Sequence, residues 1–149
     1  MEALRRLPVR GLVTLGPAID RERFEVPPNV VVCASAPHSR VFEEASVVVT
    51  HGGHGTVVRG LVAGAPLLVI PMGRDQNDNA ARVVARGAGL MLASDASSDR
   101  IHDALRTLLD EPRYRRDAAA LGHALRADAA ASPLVDELES LVPRRMRAA

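Results

Sequence analysis

Short apolar runs rich in valine and leucine recur along the chain, each followed by a polar or glycine-containing turn. They predict strands over Gly11 to Leu15, Asn29 to Cys33, Ser46 to Thr50, Pro66 to Ile70 and Gly89 to Leu92. None alternates polar with apolar residues, which is the pattern of strands covered on both faces in a parallel sheet. Helical patterns lie between them at His38 to Ala45, Thr56 to Ala63 and Asn77 to Arg86, with Gly64 and Gly87 where C-caps are expected. After the last strand only helices follow, at Ser98 to Asp110, Arg113 to Ala131 and Leu134 to Leu141, with Pro112 and Pro133 near their starts. The predicted architecture is α/β: a Rossmann-like, mainly parallel sheet with flanking helices and a helical C-terminal tail. Gly16 to Pro28 is the longest loop, and only a helical stub, Met1 to Arg6, precedes the first strand.

Composition narrows the reading. A chain of 149 residues, 47% hydrophobic and 25% charged, fits one domain over residues 1–149. Nineteen basic against 18 acidic residues give a formal net charge of +1, so no overall electrostatic drive toward nucleic acid or an anionic membrane exists. All 19 basic residues are arginine, which excludes Schiff-base chemistry and a phosphate-loop lysine. The single cysteine, Cys33, closes no internal disulfide, and it is expected to be a small core side chain. No apolar run reaches the roughly 18 to 20 residues of a membrane span, and the N-terminus lacks the pattern of a secretion signal; a cytoplasmic protein is expected.

The stretch most informative about chemistry is Thr50-His51-Gly52-Gly53-His54-Gly55-Thr56, where a strand ends and a helix begins. Ligands of open α/β sheets bind at this edge, and a helix N-terminus offers free N–H groups to an anion. Glycines permit close backbone approach, Thr56 adds a hydroxyl and His51 a ring N–H, so a phosphate or diphosphate suits the turn. The plainer alternative is a glycine-rich turn whose histidine only satisfies backbone groups. A metal on His51 and His54 is the weaker reading, because His51 falls on the strand side and no third ligand has suitable spacing. Pro71 to Gln76 follows the next strand and opens on the same edge; Asp75 and Gln76 offer acceptors and donors to sugar hydroxyls, although Asp75 or Asn77 also suits a helix N-cap. Ala34 to His38 follows a third strand there, with His38 either near a nucleobase or without function. His102 and His123 fall on the later helices and are expected at the surface.

Together, His51-Gly52-Gly53-His54-Gly55-Thr56, Gly64-Ala65-Pro66, and Pro71 followed by Asp75-Gln76 and Asn79-Ala80 resemble the donor-binding motif of the UDP-glycosyltransferase superfamily. The form is that of bacterial macrolide, antibiotic and glycolipid glycosyltransferases, and the likeness runs from about Leu4 to about Leu141. The resemblance implies the C-terminal half of a GT-B fold and binding of a UDP- or dTDP-hexose for transfer to the hydroxyl of a small-molecule acceptor. It implies that His51, Gly53, Gly55 and Thr56 contact the donor diphosphate, that Asp75 and Gln76 hold the transferred sugar, and that Ser35, Ala36 and His38 receive the nucleobase. It implies no metal, no cofactor beyond the donor substrate and no catalytic residue within these 149 residues.

Some positions depart from the pattern. Many plant members have tryptophan at the position of Ser35 and glutamate at that of Arg59, so UDP and dTDP both stay open. The general base and most of the acceptor pocket belong to the N-terminal domain, which these residues do not include, so the chain alone is expected to be inactive. Set against the family pattern, the usual first strand of the donor domain is also expected to be absent. Its loss would leave two apolar sheet edges that either re-pair or invite self-association. The alternatives are a non-catalytic nucleotide-sugar-binding or partner module, and a piece of a sugar-nucleotide epimerase.

Overall fold

The computed structural model describes residues 1–16 and 19–141; residues 17 and 18 of the long loop, and 142–149, lie outside the described residues. All five predicted strands form, each trimmed by one or two residues: β1 (Gly11–Thr14), β2 (Val30–Cys33), β3 (Val48–Thr50), β4 (Leu67–Val69) and β5 (Gly89–Met91). The helices are α1 (Glu2–Arg5), α2 (His38–Glu44), α3 (His54–Val62), α4 (Gln76–Ala85), α5 (Ser98–Asp110), α6 (Pro112–Ala131) and α7 (Leu134–Ser140). Helix α3 begins two residues earlier than the pattern predicts. Gly53 takes an extended N-cap conformation there, so His54 is already helical.

Local chemistry explains where the helices start and stop. Gly64 at φ +75° and Gly87 at φ +66° end α3 and α4 in the left-handed conformation. In α3 the Gly64 amide returns to Leu61 and the Ala65 amide to Gly60, a paired closure that satisfies carbonyls left over at a helix end, and α4 closes in the same way. Ser97 caps α5 by accepting from the Arg100 amide, and Pro112 opens α6 where no amide hydrogen is needed. Helix α6 lays Tyr114, Ala118 and Gly122 against the core at four-residue spacing. A β-carbon on Gly122 would collide with the Leu61 carbonyl, so this glycine sets how closely α6 approaches α3.

The strands form two sheets, β1-β2 and β3-β4-β5, with every pairing parallel. Leu67, Leu68 and Val69 of the central strand β4 are fully buried. Leu67 and Val69 face a cluster containing Val57, Leu61, Val83 and Ala118, drawn from α3, α4 and α6. Leu68 faces the opposite layer, with Leu105 and Leu108 of α5 and Tyr114 of α6. Asn29 joins the smaller sheet to this layer by donating to the carbonyls of Leu4, Leu7 and Val9 around the end of α1. Arg6 pairs with Asp99 of α5 at 2.8 Å.

The expectation that all strands are covered on both faces holds for β4 and fails for the other four, β5 included, where Met91 is 48% exposed. Leu12 is 44% exposed, Val31 64% and Val49 50%. All of these residues stand in strands with an open edge: among the described residues β1 and β2 pair only with each other, and β3 and β5 only with β4. The strands have not re-paired to close the gap. Cys33, expected in the core, is accordingly only half-buried, and it lines an open recess with Leu15, Ile19 and Val32.

Candidate functional site

The His51 turn is shaped by its neighbours before any ligand is considered. Thr50 is buried at the end of β3, and its hydroxyl accepts from the Gly52 amide at 3.2 Å. Gly52 turns at φ +93°, and a β-carbon there would lie 2.8 Å from Val69 Cγ1 and 3.2 Å from the Gln76 carbonyl. Only glycine satisfies both the backbone and the space. The Gly53 carbonyl then accepts from the Thr56 and Val57 amides, each at 3.0 Å, and starts α3 without a side-chain cap.

This start leaves donors over. Among the described residues the Gly53, His54 and Gly55 amides have no protein partner. They carry the positive end of the α3 dipole. The corner is open: His51, His54 and Gly55 are exposed, and nothing approaches within 4 Å of a β-carbon placed on Gly55. The His51 ring folds over Gly53, with its Nε2 2.7 Å from the place a β-carbon on that residue would occupy, beside the first of the free amides. Thr56 is half-buried in the first turn.

The second loop follows β4 on the same edge of the same sheet. Gly73 stands at φ +142° and Arg74 at φ +59°, the one non-glycine residue in the left-handed region among those described. The Met72 amide donates to Gln76 Oε1 at 2.7 Å, and the Gln76 amide to the Gly73 carbonyl at 3.3 Å. Gln76 therefore folds its own loop with its side-chain oxygen, which leaves its NH2 group as the donor for a ligand.

Asp75 occupies the N-cap position of α4, as the capping alternative expects, but its carboxylate makes no capping bond. Instead Oδ2 accepts from Asn79 Nδ2 at 3.0 Å, and the same NH2 group donates to the Gly52 carbonyl at 3.0 Å. Asn79 is buried, so one side chain ties the two loops together. Asn79 belongs to the quoted motif, but the sequence assigns it no role. Its spacing of four from Asp75 on a helix is the signal that the two side chains meet.

The third loop follows a strand of the other sheet. Ser35 is exposed and Ala36 half-buried at the carboxyl end of β2, in the two-stranded sheet. His38 begins α2 and stacks on Phe42 one turn later, with ring centroids 5.1 Å apart and planes 16° from parallel. No hydrogen bond among the described residues joins this loop to the His51 or Asp75 loops. Arg59 is exposed on α3 and makes no ion pair among the described residues. Of the other histidines, His123 is exposed, whereas His102 is half-buried and lies 3.0 Å from an Asp103 oxygen. No group of three His, Cys, Asp or Glu residues among those described could hold a metal ion. No described helix is long and apolar enough to cross a membrane.

Residues 4–142 match the family described as "Erythromycin biosynthesis protein CIII-like, C-terminal domain". The chain belongs to this family. It is 38% identical to the elloramycin glycosyltransferase ElmGT of Streptomyces olivaceus over 117 residues, 78% of this chain and 29% of that protein. Among solved structures it superposes on the glycotransferase of kitacinnamycin with a TM-score of 0.85 and 32% identity, covering 95% of this chain and 38% of the other. Glycosyltransferase VinC, solved in complex with dTDP, aligns with a TM-score of 0.77 and 28% identity over 84% of this chain and 32% of its own. The chain spans 29% to 38% of the length of these three proteins. Its fold is that of the C-terminal part of GT-B glycosyltransferases.

Proposed function

We propose that the domain binds a nucleotide-diphosphate hexose, with UDP or dTDP as the nucleotide, for transfer of the hexosyl group to a small-molecule acceptor hydroxyl. The observation that carries this reading is the set of unpartnered amides at Gly53, His54 and Gly55 beneath the His51 ring. Amides held in place at a helix start hydrogen-bond an anion without having to reorganise. His51, Gly53, Gly55 and Thr56 would take the diphosphate. Asp75 and Gln76 would present an acceptor and a donor to the sugar hydroxyls. Ser35, Ala36 and His38 would lie toward the base, with His38 held by its stack on Phe42.

In transfer, the acceptor oxygen forms a bond to the anomeric carbon as the bond to the diphosphate breaks, and the diphosphate leaves with the bonding pair. The free amides and the His51 N–H would stabilise charge as it grows on that leaving group. The base that takes the acceptor's proton is expected from the acceptor-binding part of the enzyme. VinC, a structural neighbour solved with dTDP, favours dTDP as the first nucleotide to test. The open edges of β1 and β3 add a second proposal, self-association, which size-exclusion chromatography over a concentration series would detect.

The test is an amide NMR titration with dTDP and, separately, with UDP. The reading predicts saturable shifts at Gly53, His54 and Gly55 with one of them. Shifts absent from these amides with both nucleotides would refute it.

A further inference from the structure

Asn79 is 7% exposed, and its NH2 group donates one hydrogen to the Gly52 carbonyl and the other to Asp75 Oδ2, each at 3.0 Å. Both neighbours are acceptors there, so only a two-hydrogen donor satisfies them together. Gly52 precedes the free amides at the start of α3, and Asp75 is the N-cap residue of α4. The bond to Asp75 engages one carboxylate oxygen and leaves Oδ1 as the acceptor for a ligand. In the same loop, Met72 engages the Gln76 oxygen and leaves its NH2 as a donor. The polarity offered by this corner is thus set from within the protein.

We infer that Asn79 is a positioning residue for the sugar of the donor, coupling the diphosphate turn to the Asp75 carboxylate without touching the ligand. The inference rests on the donor-binding reading above. Removing the amide frees Asp75 to rotate and unties it from the Gly52 turn. The sugar contact should therefore suffer more than the diphosphate contact, which keeps its amides and His51. An asparagine that only stabilises the fold would weaken both ligands alike.

The test is calorimetric titration of wild type, Asn79→Ala and Asn79→Ser with dTDP and with dTDP-glucose, alongside thermal unfolding. The quantity read is the ratio of the two affinities within each protein. In Asn79→Ala the preference for the sugar-bearing ligand is expected to fall about tenfold, the scale of one hydrogen bond to a charged group. Asn79→Ser, with a single donor hydrogen, should fall between it and wild type, and it alone carries the test should the alanine variant fail to fold. An unchanged ratio, or equal weakening of both ligands, overturns the inference while leaving donor binding intact. Failure of the wild type to bind either ligand overturns the donor-binding reading, and the role of Asn79 with it.

Discussion

His51 Nε2 lies 2.7 Å from the place a β-carbon on Gly53 would occupy. The histidine ring and the first turn of α3 therefore share one small volume, and the sequence keeps it clear by having no side chain at Gly53. Gly53→Ala should push the ring away from the helix start. Alanine is less favoured than glycine at this N-cap position, so stability should fall by about 1 kcal/mol. Affinity for dTDP should nevertheless drop about fivefold or more, approaching the loss of a charge-assisted hydrogen bond. Thermal unfolding and calorimetry on the same sample separate the two effects.

Gly52 is constrained differently. Alanine there must adopt φ +93° and place its β-carbon 2.8 Å from Val69 Cγ1 in the core. Left-handed strain and overpacking together should cost about 2 to 4 kcal/mol. A urea titration should show a lower midpoint with an unchanged slope. A wild-type midpoint would mean that the turn relaxes freely.

Burial divides the strands in a way that substitution should read out. Leu68 is fully buried, so Leu68→Ala should cost about 2 to 5 kcal/mol. Val49 is 50% exposed on a neighbouring strand, and Val49→Thr should stay within about 0.5 kcal/mol. Chemical denaturation of both variants tests the contrast.

Hydrogen exchange should mark the divided sheet. In a parallel pair alternate residues bond to a given side, and Val48 and Thr50 bond toward β4 while Gly11 and Leu15 bond toward β2. The amides of Leu12, Thr14 and Val49 then face the open edges. They should exchange much faster than that of Leu68. Protection that grows with protein concentration would signal pairing between copies.

Much of this arrangement was legible in the sequence because it is local. Continuous valine and leucine runs located five strands, and glycines at 64 and 87 marked two helix ends. The resemblance pointed to the family that residues 4–142 match. What stayed hidden depends on the third dimension. A run such as Asn29 to Cys33 reads as doubly buried, yet Val31 is 64% exposed, because coverage depends on neighbours that a run cannot reveal. Asp75 reads as a sugar contact or a helix cap; it does stand at the N-cap position, but its carboxylate turns to Asn79, a partner that spacing alone does not single out. Gln76 reads as free for a ligand, whereas the Met72 amide already holds its oxygen. Competition among polar groups within one loop leaves no trace in spacing.

The central claim is that the start of α3 and His51 together cradle a diphosphate. Calorimetric titration of wild type and His51→Ala with dTDP and UDP tests it most directly. The account predicts binding of at least one nucleotide by the wild type, weakened in the variant by about 1 to 3 kcal/mol. Equal affinity in the two proteins would contradict it.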